Sequence, residues 1–201
     1  MTGDRHSRTL DREHGRFRSV ITDLEMRSPP SAPVPAPPHP GVTVERWMHP
    51  RRGDYLALFR RIGDPWLWFA RLEQPPAELD ALLADEAHET WRLLEDGVVA
   101  GLCELDRSTP GEVEIAYFGL VPNAIGRGLA GYFLRSMLDR AWTHGIDRVW
   151  LHTCTEDHPS ALEFYRHVGF RVCGERVEWV HDPRLRGLLP RHAAPHVPIP
   201  E

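Results

Sequence analysis

The stretch from residue 112 to residue 134, EVEIAYFGLVPNAIGRGLAGYFL, limits more than any other what this chain can fold into. Its β-branched and aromatic start predicts a strand, which Pro122 ends. Gly126 and Gly128 follow, and apolar residues then recur at helical spacing as far as Ala141, which predicts an amphipathic helix. The chain therefore runs from a strand through a glycine turn into a helix.

A glycine turn at a helix N-terminus suits an anionic ligand. Glycines let the unpaired backbone N–H groups approach the ligand closely, and the helix dipole favours negative charge, so a phosphate or pyrophosphate is expected. The pattern GxxxxGK[ST] is absent, and the run GRGLAG is not expected to lie in a βαβ unit, so neither a P-loop nor a dinucleotide fold is predicted. An ordinary tight turn is the alternative interpretation of the same glycines.

Two motifs together resemble one family. The segment IGRGLA, residues 125–130, resembles the Q/R-x-x-G-x-G/A signature of the GCN5-related N-acetyltransferases, the GNAT family. Residues 158–170, HPSALEFYRHVGF, are similar to that family's N-x-x-A-x-x-x-Y-x-x-x-G-F segment, with four positions in place: Ala161, Tyr165, Gly169 and Phe170. The resemblance covers residues 42–180. It departs from the family pattern at Ile125, which occupies the Q/R position, and at His158, which stands where asparagine is usual.

The resemblance implies an α/β fold, the acyl-CoA N-acyltransferase fold, in which a mixed, mostly antiparallel central sheet carries helices on both faces. The predicted element order β-α-α-β-β-β-α-β-α-β agrees with it. The resemblance also implies acetyl-CoA as co-substrate, bound through the glycine turn. The residues expected to bind it are Leu120, Val121, Ile125, Gly126, Arg127, Gly128, Leu129, Ala130, Gly131 and His158.

Glu114 is the expected general base. An amine acceptor is protonated near neutral pH and must lose a proton, directly or through water, before it attacks a thioester. Strand alternation places four residues on one face: Glu112, Glu114, Ala116 and Phe118. Glu114 lies eleven residues before Ile125, the spacing of the base glutamate in the histone-acetylating members that this sequence resembles. A solvated strand glutamate is the alternative, and Glu104 is the second candidate base.

Tyr165 is the expected proton donor to the leaving thiolate. A phenol can protonate a thiolate, and Tyr165 stands at the family's position for this donor. Packing within a helix is the alternative.

A backbone N–H between residues 119 and 121 is expected to polarise the thioester carbonyl. The histidines show no ligand spacing, so no metal is expected.

The stretch 64–72, DPWLWFARL, is the most aromatic part of the chain. Asp64 and Pro65 predict the start of a helix. In the GNAT family this region lies over the acceptor side. The three large aromatic residues Trp66, Trp68 and Phe69 are therefore either a wall for the substrate or ordinary core packing.

Composition narrows the partners. All 24 basic residues are arginine and the formal net charge is −5, without a dense basic stretch, so nucleic acid is not an expected partner. A mildly acidic surface suits a cationic acceptor, either a small-molecule amine or a protein amine. No apolar run approaches membrane-spanning length, so no membrane partner is expected. We expect a cytoplasmic location. Cys103, Cys154 and Cys173 are expected to be reduced thiols. Assembly as a homodimer stays open.

Three segments are predicted along the chain. Residues 1–40 form a disordered N-terminal segment, with a candidate edge strand at 19–26 and a linker that holds seven prolines between residues 29 and 40. The N-acetyltransferase domain covers residues 41–181, and residues 182–201 form a tail. The leading hypothesis is an acetyl-CoA-dependent N-acetyltransferase that works by direct attack of a primary amine. The alternative is a non-catalytic GNAT-fold protein that binds acyl-CoA or a protein partner.

Overall fold

The computed structural model describes residues 10–201, which form an eight-stranded sheet and five α-helices. The strands are β1 (Leu10–Asp11), β2 (Arg16–Met26), β3 (Val42–Arg46), β4 (His88–Glu95), β5 (Val98–Asp106), β6 (Glu112–Leu120), β7 (Arg148–Cys154) and β8 (Arg171–His181). The helices are α1 (Arg52–Gly63), α2 (Ala70–Glu73), α3 (Pro76–Ala84), α4 (Leu129–Ala141) and α5 (Ala161–Val168), with 3₁₀ turns at Asp64–Trp66 and Pro122–Ala124. This mixed, mostly antiparallel architecture confirms the predicted fold class.

The sheet has a gap near its middle. The strand order is β1-β2-β7-β6-β5-β4-β3, and β8 pairs with the other side of β2. Every pairing is antiparallel except that of β6 with β7, which helix α4 connects. The run GRGLAG therefore lies in a βαβ unit, and the expectation from sequence that it does not is wrong. This parallel pairing extends over three residue pairs, from Glu112 with Arg148 to Glu114 with Trp150. Beyond them the carboxyl ends of β6 and β7 do not pair with each other, and the sheet opens between them.

Helices α1 and α4 cover opposite faces of the sheet. Phe118 of β6 packs against Phe133 of α4, with ring centroids 5.2 Å apart. The next residue, Gly119, lies under α1, where a Cβ atom would stand 2.5 Å from Ile62 Cγ2. Successive strand residues point to opposite faces, so the helices lie on both faces, as predicted. The same contact explains the glycine, because any side chain at 119 would displace α1.

Strand β2 is an interior strand, although the sequence predicted an edge strand over residues 19–26. Its residues Ile21–Met26 pair with β7, and its residues Arg16–Glu25 pair with β8. Buried apolar residues mark both faces of the strand: Phe17, Ile21, Leu24 and Met26. This pattern is typical of a strand covered on both faces. The predicted disorder before residue 19 and the domain start at residue 41 are therefore wrong for the described residues, while residues 1–9 lie outside them.

The C-terminal segment, residues 182–201, packs on the domain and is not the tail that the sequence predicted. The buried Arg184 organises it, because its guanidinium pairs with Asp182 at 2.7 Å and donates to the carbonyl oxygen of Val197 at 2.8 Å. The segment shares a second small core with β2 and the turn after α1, formed by Phe17, Leu67, Leu189, Ala193, Ala194 and Val197. A stretch without helical or strand period carries no sequence signal for such packing.

Substitution in β2 tests its interior position. Leu24→Ala should lower the free energy of unfolding by about 2–5 kcal/mol, because it removes a fully buried side chain and leaves a cavity. Val177→Ala on β8, where the side chain is 48% exposed, is the control and should change it by less than about 0.5 kcal/mol. Denaturant unfolding measures both variants. Equally small losses would contradict an interior β2.

Candidate active site

A cleft of about 700 Å³ opens where β6 and β7 part. Residues 115–120 of β6 form one wall, and His152 and Cys154 of β7 lie on the other. One end of the cleft reaches the turn before α4, and the other reaches the aromatic residues after α1 together with β2 and β8. The site is thus a concave pocket between two splayed strands, a common setting for a ligand.

The glycine turn before α4 is open toward the cleft. Gly126 and Gly128 line it and have φ values of 79° and 77°, in the left-handed region that favours glycine. A Cβ atom at either position would meet no other atom within 4 Å. Gly128 is the N-cap of α4, and no side chain caps the helix there. The first N–H groups of α4 are therefore available to an anion.

Seven of the ten residues expected to bind the co-substrate line the cleft: Leu120, Ile125, Gly126, Gly128, Ala130, Gly131 and His158. The other three lie elsewhere. Val121 and Leu129 are buried in the core. Arg127 points to β4, where its guanidinium makes two hydrogen bonds of 2.5 Å with Glu95. Its side chain holds the turn against the sheet from outside the cleft.

Backbone N–H groups of β6 face the gap in the sheet. The N–H of Val121 donates to the carbonyl oxygen of Ala100 at 2.9 Å, on the side of β5. Successive N–H groups of a strand alternate between its two sides, so those of Leu120 and Phe118 point to the side that β7 has left. Of the backbone N–H groups of residues 119–121, expected to include the donor to the thioester carbonyl, only that of Leu120 points into the gap.

A β-bulge in β6 changes which side chains share the face of Glu114. The register of β5 with β6 skips Ala116. Tyr117 therefore joins the face of Glu114, and Phe118 turns toward α4, so the predicted alternation through Phe118 is wrong. Tyr117 packs against Trp68 with ring centroids 4.9 Å apart and lines the cleft.

Tyr165 lies on the cleft wall in α5. Its ring packs against Phe164 and Phe170, with centroid distances of 5.5 and 6.1 Å. Burial raises the pKa of its phenol well above the ordinary value, so the group stays protonated at neutral pH. Its place on the cleft wall suits a proton donor to a leaving thiolate, although the raised pKa makes the phenol a weaker acid than an exposed tyrosine.

Glu114 does not itself line the cleft. It lies in a smaller pocket on the same face of the sheet, and its Oε1 is 3.7 Å from Nδ1 of His152. His152 lines both the pocket and the cleft. The Glu114 carboxylate raises the pKa of His152, while partial burial opposes the shift. Sequence analysis did not single out this histidine, because only the fold brings β7 beside Glu114.

Glu104, the second candidate base, is fully buried beside Tyr117 and is already paired. Arg71 Nη2 and His88 Nε2 each lie 2.9 Å from its Oε2, and the Tyr55 hydroxyl donates to its Oε1. Burial alone would raise the pKa of Glu104, but the bond with His88 and the charge of Arg71 outweigh it and lower that pKa. A carboxylate held in this way is a weak base, and its contacts tie α1 and α2 to β5.

The aromatic stretch after α1 is a wall of the cleft. Three of its residues line the cleft: Trp66, Trp68 and Phe69. The helix predicted over 64–72 is wrong, since Leu67, with φ of 56°, ends a 3₁₀ turn at Asp64–Trp66 and α2 begins at Ala70. The interruption separates two short helical pieces, with Trp66 at the end of the first and Trp68 and Phe69 between them.

The same end of the cleft is completed by two strands that the sequence did not place at the site. β2 contributes Phe17, Ser19 and Ile21, and β8 contributes Glu178 and Val180. The buried carboxylate of Glu156, in the turn after β7, accepts hydrogen bonds from Ser19 Oγ at 2.5 Å and Thr155 Oγ1 at 2.8 Å. Only the placement of β2 between β7 and β8 brings these groups together.

Three further features bear on the chemistry. Among residues 10–201 there is no group of three side chains suited to a metal ion. Cys103, Cys154 and Cys173 are free thiols. No helix in the described part of the chain has the length and apolar character needed to cross a membrane.

Sequence comparison identifies related proteins. The family model "Acetyltransferase (GNAT) family" matches residues 55–170. "N-alpha-acetyltransferase RimI" of Mycobacterium tuberculosis is 34% identical over 116 residues, which is 56% of this chain and 66% of that protein. "Mycothiol acetyltransferase" of Clavibacter michiganensis is 31% identical over 133 residues, which is 65% of this chain and 37% of that protein. The match thus spans less than two thirds of either relative.

Structural comparison supports the same fold. A GCN5-related N-acetyltransferase from Sphaerobacter thermophilus matches with a TM-score of 0.55 and 22% identity, covering 83% of this chain and 54% of that one. The ribosomal-protein-S18-alanine N-acetyltransferase of Escherichia coli matches with a TM-score of 0.53 and 14% identity, covering 66% of this chain and 79% of that one. At these identities the comparison shows the fold alone.

The buried ion pair beside the cleft can be tested by its removal. Arg71→Met should lower the free energy of unfolding by about 3–5 kcal/mol, because it leaves the Glu104 carboxylate buried with one cation fewer. Arg52→Met breaks an exposed pair with Asp80 and should cost less than about 1 kcal/mol.

The effect of Arg71→Met should also depend on pH. The folded-state pKa of Glu104 is lowered, so the stability it contributes is present above its unfolded value and is lost as the pH falls through the folded value. The difference between parent and Arg71→Met should therefore narrow on acidification. Denaturant unfolding at several pH values measures it, and a difference independent of pH would count against an ionised Glu104.

Proposed function

This chain belongs to the acetyltransferase (GNAT) family, and from that premise we propose that it transfers an acetyl group from acetyl-CoA to a primary amine. The observation that carries the proposal is the pair of left-handed glycines at the N-terminus of α4, which open into a cleft between two splayed strands. Backbone N–H groups at such a turn suit a pyrophosphate. The free side of β6 suits an extended amide chain such as pantetheine.

The residues proposed to bind acetyl-CoA act in different ways. The turn around the pyrophosphate is formed by Ile125, Gly126, Gly128, Ala130 and Gly131. Leu120 offers its backbone N–H to the pantetheine arm or the thioester carbonyl. Val121, Arg127 and Leu129 support the turn through core packing and the ion pair with Glu95. His158 lies on the facing wall, with its ring 5.2 Å from that of Trp66.

The acceptor is proposed to be a cationic amine. Three carboxylates line the cleft, Glu156, Asp157 and Glu178, and no arginine of the described chain does. The names of the relatives support two acceptor classes, an α-amine for N-alpha-acetyltransferase RimI and mycothiol for the other. Both remain candidates here, and either suits a protein that acts in the cytoplasm.

A non-catalytic protein that binds acyl-CoA or a protein partner is the second candidate. Ile125 favours it, because an apolar side chain, 39% exposed, stands where the family has glutamine or arginine. Glu114 and Tyr165 favour the enzyme, since a mere binder has no need of a carboxylate near a histidine or of a phenol on the cleft wall. Turnover separates the two.

A negative charge placed in the glycine turn tests whether this turn binds acetyl-CoA. Gly128→Glu should abolish acetyl-CoA binding, because it places a side chain and a negative charge where the phosphates are proposed to lie. Gly145→Glu is the control, since Gly145 also has a positive φ, of 86°, and open space around its Cβ position. Titration calorimetry should show unchanged affinity for Gly145→Glu and none for Gly128→Glu. Undiminished affinity in Gly128→Glu would remove the proposed cofactor site.

Turnover is tested with acetyl-CoA and a panel of amines, monitoring free thiol. The parent should release thiol with at least one amine, and Tyr165→Phe should lower the turnover number by about 10²-fold, the scale of lost general acid catalysis. Acetyl-CoA affinity should not change, because the ring packing is kept. Thiol release from no amine, by a parent that binds acetyl-CoA, would favour the non-catalytic alternative.

A further inference from the structure

Glu114 and His152 meet where the sheet divides. Glu114 belongs to the last residue pair between β6 and β7, and His152 lies two residues beyond its partner Trp150, on the same face. Glu114 Oε1 stands 3.7 Å from His152 Nδ1. The His152 side chain is 41% exposed and lines the cleft, whereas Glu114 lies in the adjoining pocket. The carboxylate therefore faces one ring nitrogen and leaves Nε2 to the cleft.

The carboxylates and the second histidine of the cleft wall are engaged in hydrogen bonds with neighbouring groups. Glu156, Asp157 and Glu178 accept hydrogen bonds from Ser19 Oγ at 2.5 Å, Thr153 Oγ1 at 2.7 Å and Arg176 Nε at 3.0 Å, respectively. His158 Nδ1 lies 2.7 Å from the hydroxyl of Ser160. That Nδ1 also accepts the backbone N–H of Ser160 at 3.2 Å, so Nε2 of the neutral His158 ring carries a proton. No hydrogen bond within residues 10–201 engages Nε2 of His152, so this nitrogen is available as a proton acceptor.

We propose that His152 accepts the proton of the acceptor amine through Nε2, and that Glu114 is a positioning residue that holds the ring through Nδ1. This inference rests on the proposed acetyl transfer and assigns its proton path. A carboxylate beside Nδ1 favours the tautomer whose Nε2 carries a lone pair, which is the form that accepts a proton. Removal of the amine proton thus uses one residue from each strand, Glu114 of β6 and His152 of β7.

The step balances as follows. Nε2 of His152 takes one proton from the ammonium group, and the lone pair left on nitrogen attacks the thioester carbon. A C–N bond forms, and the C–S bond breaks as the thiolate leaves. Tyr165 donates its phenolic proton to the thiolate and regains one from the acetylated nitrogen, which becomes the neutral amide. His152 then releases its proton to solvent.

Several charged groups face His152 from the elements around it: Glu114 of β6, Asp23 of β2, Asp157 of the turn after β7, and Arg176 of β8. The charge of Arg176 is offset by Asp23 at 2.5 Å and Glu178 at 3.0 Å. The surroundings therefore favour imidazolium, and Glu114 is the largest cause of the raised pKa of His152. Catalysis needs the neutral ring, so activity should rise as the pH rises through this raised pKa.

The pH profile of kcat/KM for acceptor separates the roles. Glu114→Gln should move the acidic limb of the profile to lower pH, because it removes the charge that favours imidazolium. His152→Asn should abolish this limb and lower turnover by about 10²-fold near neutral pH, with recovery as the amine loses its proton unaided. His167→Asn, on an exposed position of α5, is the control and should keep the parent profile.

A second measurement does not depend on turnover. Proton NMR titration of the His152 ring should give a lower pKa in Glu114→Gln than in the parent, while thermal melting verifies that both are folded. Added imidazole should partly restore turnover in His152→Ala, because it supplies the missing base in solution. The same addition should leave the His167→Asn control unchanged.

Failure of the proposed proton path and failure of the proposed acetyl transfer give different results. An acidic limb that survives in His152→Asn and vanishes in Glu114→Gln would overturn this inference and leave acetyl transfer standing, with Glu114 as the direct base. An identical His152 pKa in parent and Glu114→Gln would overturn the positioning role. A parent that binds acetyl-CoA and acetylates no amine would overturn the proposed function, and this inference with it.

Discussion

Three residue pairs hold β6 against β7, and the rest of the site depends on how soon that pairing stops. If the ladder continued, the N–H groups of Phe118 and Leu120 would be used within the sheet and no cleft would exist. Because it stops at Glu114, one strand offers a free backbone edge, and the other offers side chains across the gap. The glycine turn that starts α4 lies at one end of this opening, so the place for an anion and the place for an extended chain are continuous.

The other end of the opening is built by the two ends of the described chain. β2 lies between β7 and β8, and the C-terminal segment packs on Phe17 and Leu67. β2 and β8 line this end of the cleft together with the aromatic residues after α1, and the C-terminal segment supports them from outside the cleft. The glycine turn at the other end comes from the middle of the chain. Under the proposed function the two substrates would meet parts of the sequence that are far apart, so the acceptor end could change without disturbing the glycine turn.

The local parts of this arrangement could be predicted from the sequence, and the long-range parts could not. Neighbouring residues predict the strand, glycine turn and helix around residues 112–134. The motif around Tyr165 likewise singled out a residue that lies on the cleft wall. The interior position of β2 depends on partners at the far end of the chain, and sequence period identifies a strand without naming its neighbours. The bulge at Ala116 moved Tyr117 to the face of Glu114, a change that strict alternation misses. The contact of Glu114 with His152 requires the parallel register of two strands that α4 separates.

The position of β2 also decides when during synthesis the molecule can be completed. Arg16 pairs with His181, and Met26 pairs with Val149, so β2 leaves the ribosome long before either neighbour exists. Until then it carries apolar residues on both faces and two open edges, the condition in which a strand pairs with other chains. Pairing between such distant residues also slows folding. A nascent chain that has made the glycine turn but not β8 therefore still lacks one wall of the cleft, so the proposed acetyl transfer would require the last strand to be in place.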